Sequence, residues 1–72
     1  GNDTGQAREA ADRLLALAEG GDLLSAFNYA VCLHLGVGRA KDPAAAIAWM
    51  RRASEGGQLN ARYWLGRLIL EG

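Results

Sequence analysis

Glu19-Gly20-Gly21-Asp22-Leu23 returns 36 residues later as Glu55-Gly56-Gly57-Gln58-Leu59, with four identities in five positions. The same offset lays Ala10 on Ala46 and Gly36 on Gly72. Conservative pairs fill the interval: Ser25 with Ala61, Tyr29 with Leu65, Ala30 with Gly66, and Leu33 with Ile69. A spacing in the thirties is the length of one helical hairpin in a stacked array, so the chain reads as an internal repeat.

Working outward from the paired glycines, the apolar spacing predicts four helices and no strand. Helix 1 is expected from about Gln6 to Glu19, with Ala7, Ala10, Ala11, Leu14, Leu17 and Ala18 on one face. Gly20-Gly21 ends it, because glycine enters the left-handed region at little cost. Asp22 is placed to cap helix 2, from about Leu23 to Leu35, where Ala26, Tyr29, Ala30 and Leu33 keep helical spacing. Gly36 to Lys41 is a loop. Asp42-Pro43 then starts helix 3, an N-cap followed by proline at the first helical position. Helix 3 carries Ala46, Trp49, Met50 and Ala53 on one face and stops at Gly56-Gly57. Helix 4 runs from about Leu59 to Leu70, with Ala61, Leu65, Leu68 and Ile69 inward. Gly66 in mid-helix costs roughly 1 kcal/mol relative to alanine. Its presence predicts close approach by a neighbour such as Trp49, and a clash on Gly66→Val.

Composition sets limits on function. The 72 residues are 50% apolar and 22% charged, enough for a core. No apolar run approaches a membrane span and no signal peptide is visible. One cysteine, Cys32, excludes an intramolecular disulfide, and one Cys with one His cannot cage zinc. Net charge is zero, yet residues 1–36 hold five acids against Arg8 and Arg13 (−3), and residues 37–72 six bases against Asp42, Glu55 and Glu71 (+3). That polarity suits head-to-tail contact with another copy or with adjoining chain, and equally suits chance scatter on a solvated surface.

With the repeat in view, the residues resemble the Sel1-like repeat family, relatives of the tetratricopeptide repeats with units of about 36 residues. The family pattern runs approximately A-x3-L-G-x2-Y-x2-G-x-G-V-x2-D-x2-K-A-x2-W-x3-A-A-x2-G. From Ser25 onward this chain matches at Gly36, Gly38, Asp42, Ala46, Trp49, Ala53 and Gly57, with Gly21 the counterpart of Gly57. The next unit opens with Ala61, Leu65, Gly66 and Gly72. Departures are Tyr29-Ala30 for Leu-Gly, Leu33 and Ile69 for Tyr, Arg39 for Val, Ala45 for Lys and Ser54 for Ala.

The resemblance covers residues 10–72 and implies an all-α, right-handed superhelix of about four antiparallel helices. It also implies an adaptor that binds other proteins, a role common in bacterial envelope and signalling contexts. Secreted members stapled by cysteine pairs are a poor match to a chain with Cys32 alone. Residues 1–5 are read as a disordered or vector-derived N-terminus, with Gly1 a cleavage remnant. Residues 6–72 are read as a repeat fragment: 6–21 a half unit, 22–57 a full unit, 58–72 a half unit.

No set of side chains predicts catalysis or a cofactor. Gly36-Val37-Gly38-Arg39-Ala40-Lys41 looks superficially like a phosphate loop, but lacks the preceding strand, a third glycine and a Gly-Lys-Ser/Thr ending. Cys32 and His34 stand two residues apart, about 200° around a helix, and cannot form a nucleophile–base pair. With no second histidine and no facing carboxylates, the chain is expected not to be an enzyme and to hold no metal. Asn2-Asp3-Thr4 fits a glycosylation sequon, though Asp3 or Thr4 can simply cap helix 1. Arg51, Arg52, Arg62 and Arg67 interleave with Tyr63 and Trp64, but the neutral composition disfavours nucleic acid.

Two main readings of function remain, with RNA or single-strand DNA binding by the arginines, Tyr63 and Trp64 a weaker third. In the first, helices 2 and 4 line a groove that holds a partner peptide or helix. Phe27, Val31 and His34 form a ridge at i, i+4 and i+7, and Tyr63, Arg67 and Leu70 form the equivalent ridge on helix 4. Phe27 and Tyr63 are either exposed on that groove or packed between units. In the second, copies stack end to end through uncapped faces. The partner's identity and the cell compartment are not encoded in these patterns.

Overall fold

The computed structural model describes residues 3–71, with side chains described for residues 5–70. It is all-helical: α1 (Asp3–Glu19), α2 (Leu23–Leu35), α3 (Pro43–Glu55) and α4 (Leu59–Glu71), with no strand among the described residues. Each helix packs against the next in sequence, α1 on α2, α2 on α3 and α3 on α4. α1 starts at Asp3 rather than Gln6, so Asp3 to Gly5 lie within the helix. The sequon and the caps expected from Asp3 or Thr4 involve side chains outside those described, as does Gly72.

The helix ends follow from the punctuating residues. Gly21 and Gly57 both have φ 103°, a backbone region open to glycine and hostile to a side chain. At the first turn Asp22 N–H donates to the Leu17 carbonyl and Gly21 N–H to Ala18. At the second, Gln58 N–H donates to Ala53 and Gly57 N–H to Ser54, each at 3.0 Å. These pairs of bonds satisfy the last helical carbonyls. Asp42 caps α3 as its sequence predicts, accepting from Ala45 N–H at 3.1 Å, with Pro43 behind it at the first helical position. Asp22 does not cap α2 through its side chain: its carboxylate accepts from the Ser25 hydroxyl instead. Gln58, the counterpart of Asp22, does cap, its Oε1 accepting from Ala61 N–H at 2.9 Å.

The α2–α3 loop folds back onto α1. Gly36 ends α2 with φ 77°, its N–H on the Cys32 carbonyl at 2.8 Å. Gly38, φ 72°, then lies so close to α1 that a Cβ there would stand 2.6 Å from the Ala7 carbonyl carbon and 3.1 Å from Ala11 Cβ. Arg39 follows, pairing its guanidinium with the Asp12 carboxylate of α1 and lying 5.7 Å above the Tyr29 ring of α2. One glycine and one arginine thus clip three elements together.

The core is built largely of alanine. Ala18, Ala26, Ala30, Met50, Ala53, Ala61 and Leu68 form one cluster, and Ala11, Tyr29, Leu33 and Ala46 a second. Trp49 packs against both, edge-on to Tyr29 with centroids 5.6 Å apart. Met50 is the largest side chain wholly removed from solvent. Small side chains let helices approach closely at the expense of buried apolar area, which is the main stabilising term.

Three expectations about inward faces are corrected. On α1, Ala11 and Ala18 are buried, but Ala10 and Leu17 are exposed. On α4, Ala61 and Leu68 are buried, whereas Ile69 is exposed. Gly66 has no atom within 4 Å of a Cβ built on it, so no neighbour demands a small residue and Gly66→Val meets no clash. The cause is common to all three. The main contact of α1 is with α2 and that of α4 is with α3, so each outer helix buries a narrower sector than α2 or α3.

Candidate partner-binding surface

α2 is packed on several sides, which decides where its side chains go. Ala26 and Ala30 join the cluster of Met50 and Ala53, and Ser25, Tyr29 and Leu33 are also buried. Phe27 and Val31 are half-buried against the cluster that includes Ala61 and Leu68 of α4. His34 is half-buried, its ring 6.1 Å from that of Trp64 on α4 at 67°. On α4, by contrast, Tyr63 is 63% exposed with Arg67 5.9 Å over its ring, and Leu70 is exposed. The two trios expected to form matching ridges therefore differ. Phe27, Val31 and His34 belong to the seam between α2 and α4, while Tyr63, Arg67 and Leu70 point away from the core. Of the two open readings of the aromatics, packing applies to Phe27 and exposure to Tyr63.

The seam has solvent-facing borders that the sequence pattern did not single out. Leu24, Val31 and Leu35 are spaced i, i+7 and i+11, one stripe along α2. Leu24 and Leu35 are exposed although they belong to the most apolar helix of the chain. Asn60 and Arg67, spaced i and i+7, form the equivalent stripe on α4, also exposed. Between the stripes, His34 and Trp64 supply a floor of two rings. The α2 border is apolar and the α4 border polar, with an aromatic ring pair between them and Arg67 at the rim, a combination that takes apolar side chains and orients them by a polar contact. The signal that could have found Leu24 and Leu35 was their place opposite the buried Tyr29 and Leu33.

Cys32 is half-buried on α2 and burial raises its thiol pKa above the ordinary value, the reverse of an activated nucleophile. Among the described residues no group of three or more His, Cys, Asp or Glu side chains could hold a metal, and no helix is long and apolar enough to cross a membrane. Of Arg51, Arg52, Arg62 and Arg67, two lie over aromatic rings. Arg52 lies 4.6 Å over the Trp49 ring of α3, and Arg67 covers Tyr63. Tyr63 and Trp64, being adjacent, project about 100° apart around α4. No protein-family model, curated protein or solved structure matches the chain.

Proposed function

We propose that this chain is a non-enzymatic protein-interaction module, a right-handed helical-hairpin superhelix of the Sel1-like, tetratricopeptide-related kind. Its task is to hold a peptide or helix of a partner protein along the α2–α4 seam. Two things support the repeat reading: the 36-residue sequence offset, and the turns at Gly21 and Gly57, which share φ 103° and hydrogen bonds displaced by 36 positions. The observation that carries the binding site is the exposure of Leu24 and Leu35 at the two ends of one α2 stripe, with the His34–Trp64 ring pair next to Leu35. Two leucines at helical spacing on water cost solubility with no return in folding stability, and a bound apolar segment removes that cost.

The test is selection of peptides from a random display library on the 72-residue chain, followed by solution binding of the winners. Leu24→Asp or Leu35→Asp should weaken binding by about tenfold or more, with Leu59→Asp as the off-site control. Selected peptides indifferent to both seam substitutions would move the site elsewhere. Failure to select any peptide would leave this reading without a ligand and end it.

A further inference from the structure

The α2–α3 interface has an open counterpart at each end of the molecule. Leu33 and Ala46 are buried in one cluster within it. Thirty-six residues away stand Ile69, 56% exposed, and Ala10, also exposed. Ala53, buried with Ala26 and Ala30 of α2, corresponds to Leu17, 55% exposed. Leu23 seats its methyls 2.5 and 2.7 Å from the place a Gly56 Cβ would take. Its counterpart is Leu59, 73% exposed, and that of Gly56 is Gly20, near whose missing Cβ only carbonyls of its own helix lie. The outer face of α4 thus repeats the α2 half of an interface, and the outer face of α1 repeats the α3 half.

We infer that the outer face of α4 in one copy receives α1 of a second copy, in the register that α3 takes on α2. The occupant of the α4 face must offer a small residue opposite Ile69, an apolar one opposite Gly66, and a glycine opposite Leu59. Ala10, Leu17 and Gly20 of α1 meet those needs at the spacing already proven by Ala46, Ala53 and Gly56. Charge agrees: α1 holds four acids against two arginines, α4 two arginines against one acid. Three counterparts are polar: Glu9 for Ala45, Arg13 for Trp49 and Arg62 for Ala26. Each can lay its methylene stem on the seam and keep its head in water, so the contact is weaker than the intramolecular one and reversible. The joint is head-to-tail, with different surfaces on its two sides, and each added copy exposes the same pair of faces again.

The experiment is light scattering coupled to size exclusion over a concentration series of the 72-residue chain. Its average mass should rise with concentration beyond twice the 7.6 kDa monomer. Leu17→Glu blocks only the α1 face and Ile69→Glu only the α4 face, and each alone should run as a monomer. An equimolar mixture should form a dimer and stop there, because each partner retains one intact face. Both sites are exposed, so far-UV circular dichroism should match the parent, and Leu59→Glu serves as a second α4 block. A monomeric parent at every concentration, a Leu17→Glu variant that still associates, or a mixture that stays monomeric would each overturn the inference. This inference does not rest on the peptide-binding reading: Leu24→Asp should leave the mass series unchanged.

Discussion

Gly38 is held against the Ala7 carbonyl at a separation that leaves no space for a methyl group, and its φ of 72° is one that side-chain-bearing residues seldom adopt. Gly38→Ala therefore meets two penalties at once, backbone strain and collision with the backbone of α1. A loss of about 2–4 kcal/mol is expected, read by urea unfolding. Gly21→Ala isolates the first penalty, since nothing lies within 4 Å of its missing Cβ. It should cost about 1–3 kcal/mol. Equal effects at the two positions would show that the loop does not press on α1.

Gly66→Ala should behave in the opposite sense. The position is helical, exposed and without near neighbours. Alanine should stabilise by about 0.5–1 kcal/mol through helix propensity alone. A thermal melt showing destabilisation would mean that a neighbour covers this face.

Arg39, partly in solvent, reaches α1 through the exposed carboxylate of Asp12 and α2 through the ring of the buried Tyr29. Arg39→Ala should cost about 1 kcal/mol, the sum of a weak exposed ion pair and a weak cation–π contact. Arg39→Lys should recover only part, because an ammonium has neither the flat face nor the fork of a guanidinium. Chemical unfolding of the two variants in low salt distinguishes them.

Cys32 gives a pH signature. Burial raises its thiol pKa in the folded chain, so between the ordinary thiol value and the raised one the folded state binds more protons than the unfolded state. Stability from this source is whole below that window and falls as pH climbs through it. Stability of the parent should drop more steeply than that of Cys32→Ala on the alkaline side, with parallel curves near neutrality. Alkylation by iodoacetamide should be slower in the native chain than in urea.

Trp49 joins both core clusters, meets Tyr29 edge-on and carries Arg52 over its face. Trp49→Ala should be among the most damaging single changes, at about 3–5 kcal/mol. A melt that stays within 1 kcal/mol of the parent would show that α2 and α3 are held by other contacts.

Helix borders were legible in the sequence because glycine and Asp-Pro act locally. Gly21, Gly36 and Gly57 adopt the positive φ their position predicts, and Asp42 caps where it should. Side-chain destinations on the outer helices were less legible, because a 3.6-residue period reports an apolar stripe and says nothing of how many neighbours will cover it. Ala46 and Ala10 occupy the same place in the pattern, yet only Ala46 has helices on enough sides to be buried. The same limit hid the seam: Phe27 and Tyr63 look alike on a helical wheel, and α4 itself covers one and exposes the other. Asp22 shows a third limit. Its side chain had two good local partners, and the Ser25 hydroxyl prevailed over a backbone amide.

Seven of the eleven apolar side chains buried among the described residues are alanine. An alanine scan, the usual instrument for locating a core, is blind at those seven positions because the residue is already there. Sensitivity to substitution runs toward larger groups, and Ala30→Leu or Ala46→Leu pries helices apart where truncation elsewhere merely leaves a void. A chain so constituted tolerates shortening at its rim far better than thickening at its centre. Sequence drift in this fold is held in by a ceiling on side-chain volume more than by a floor.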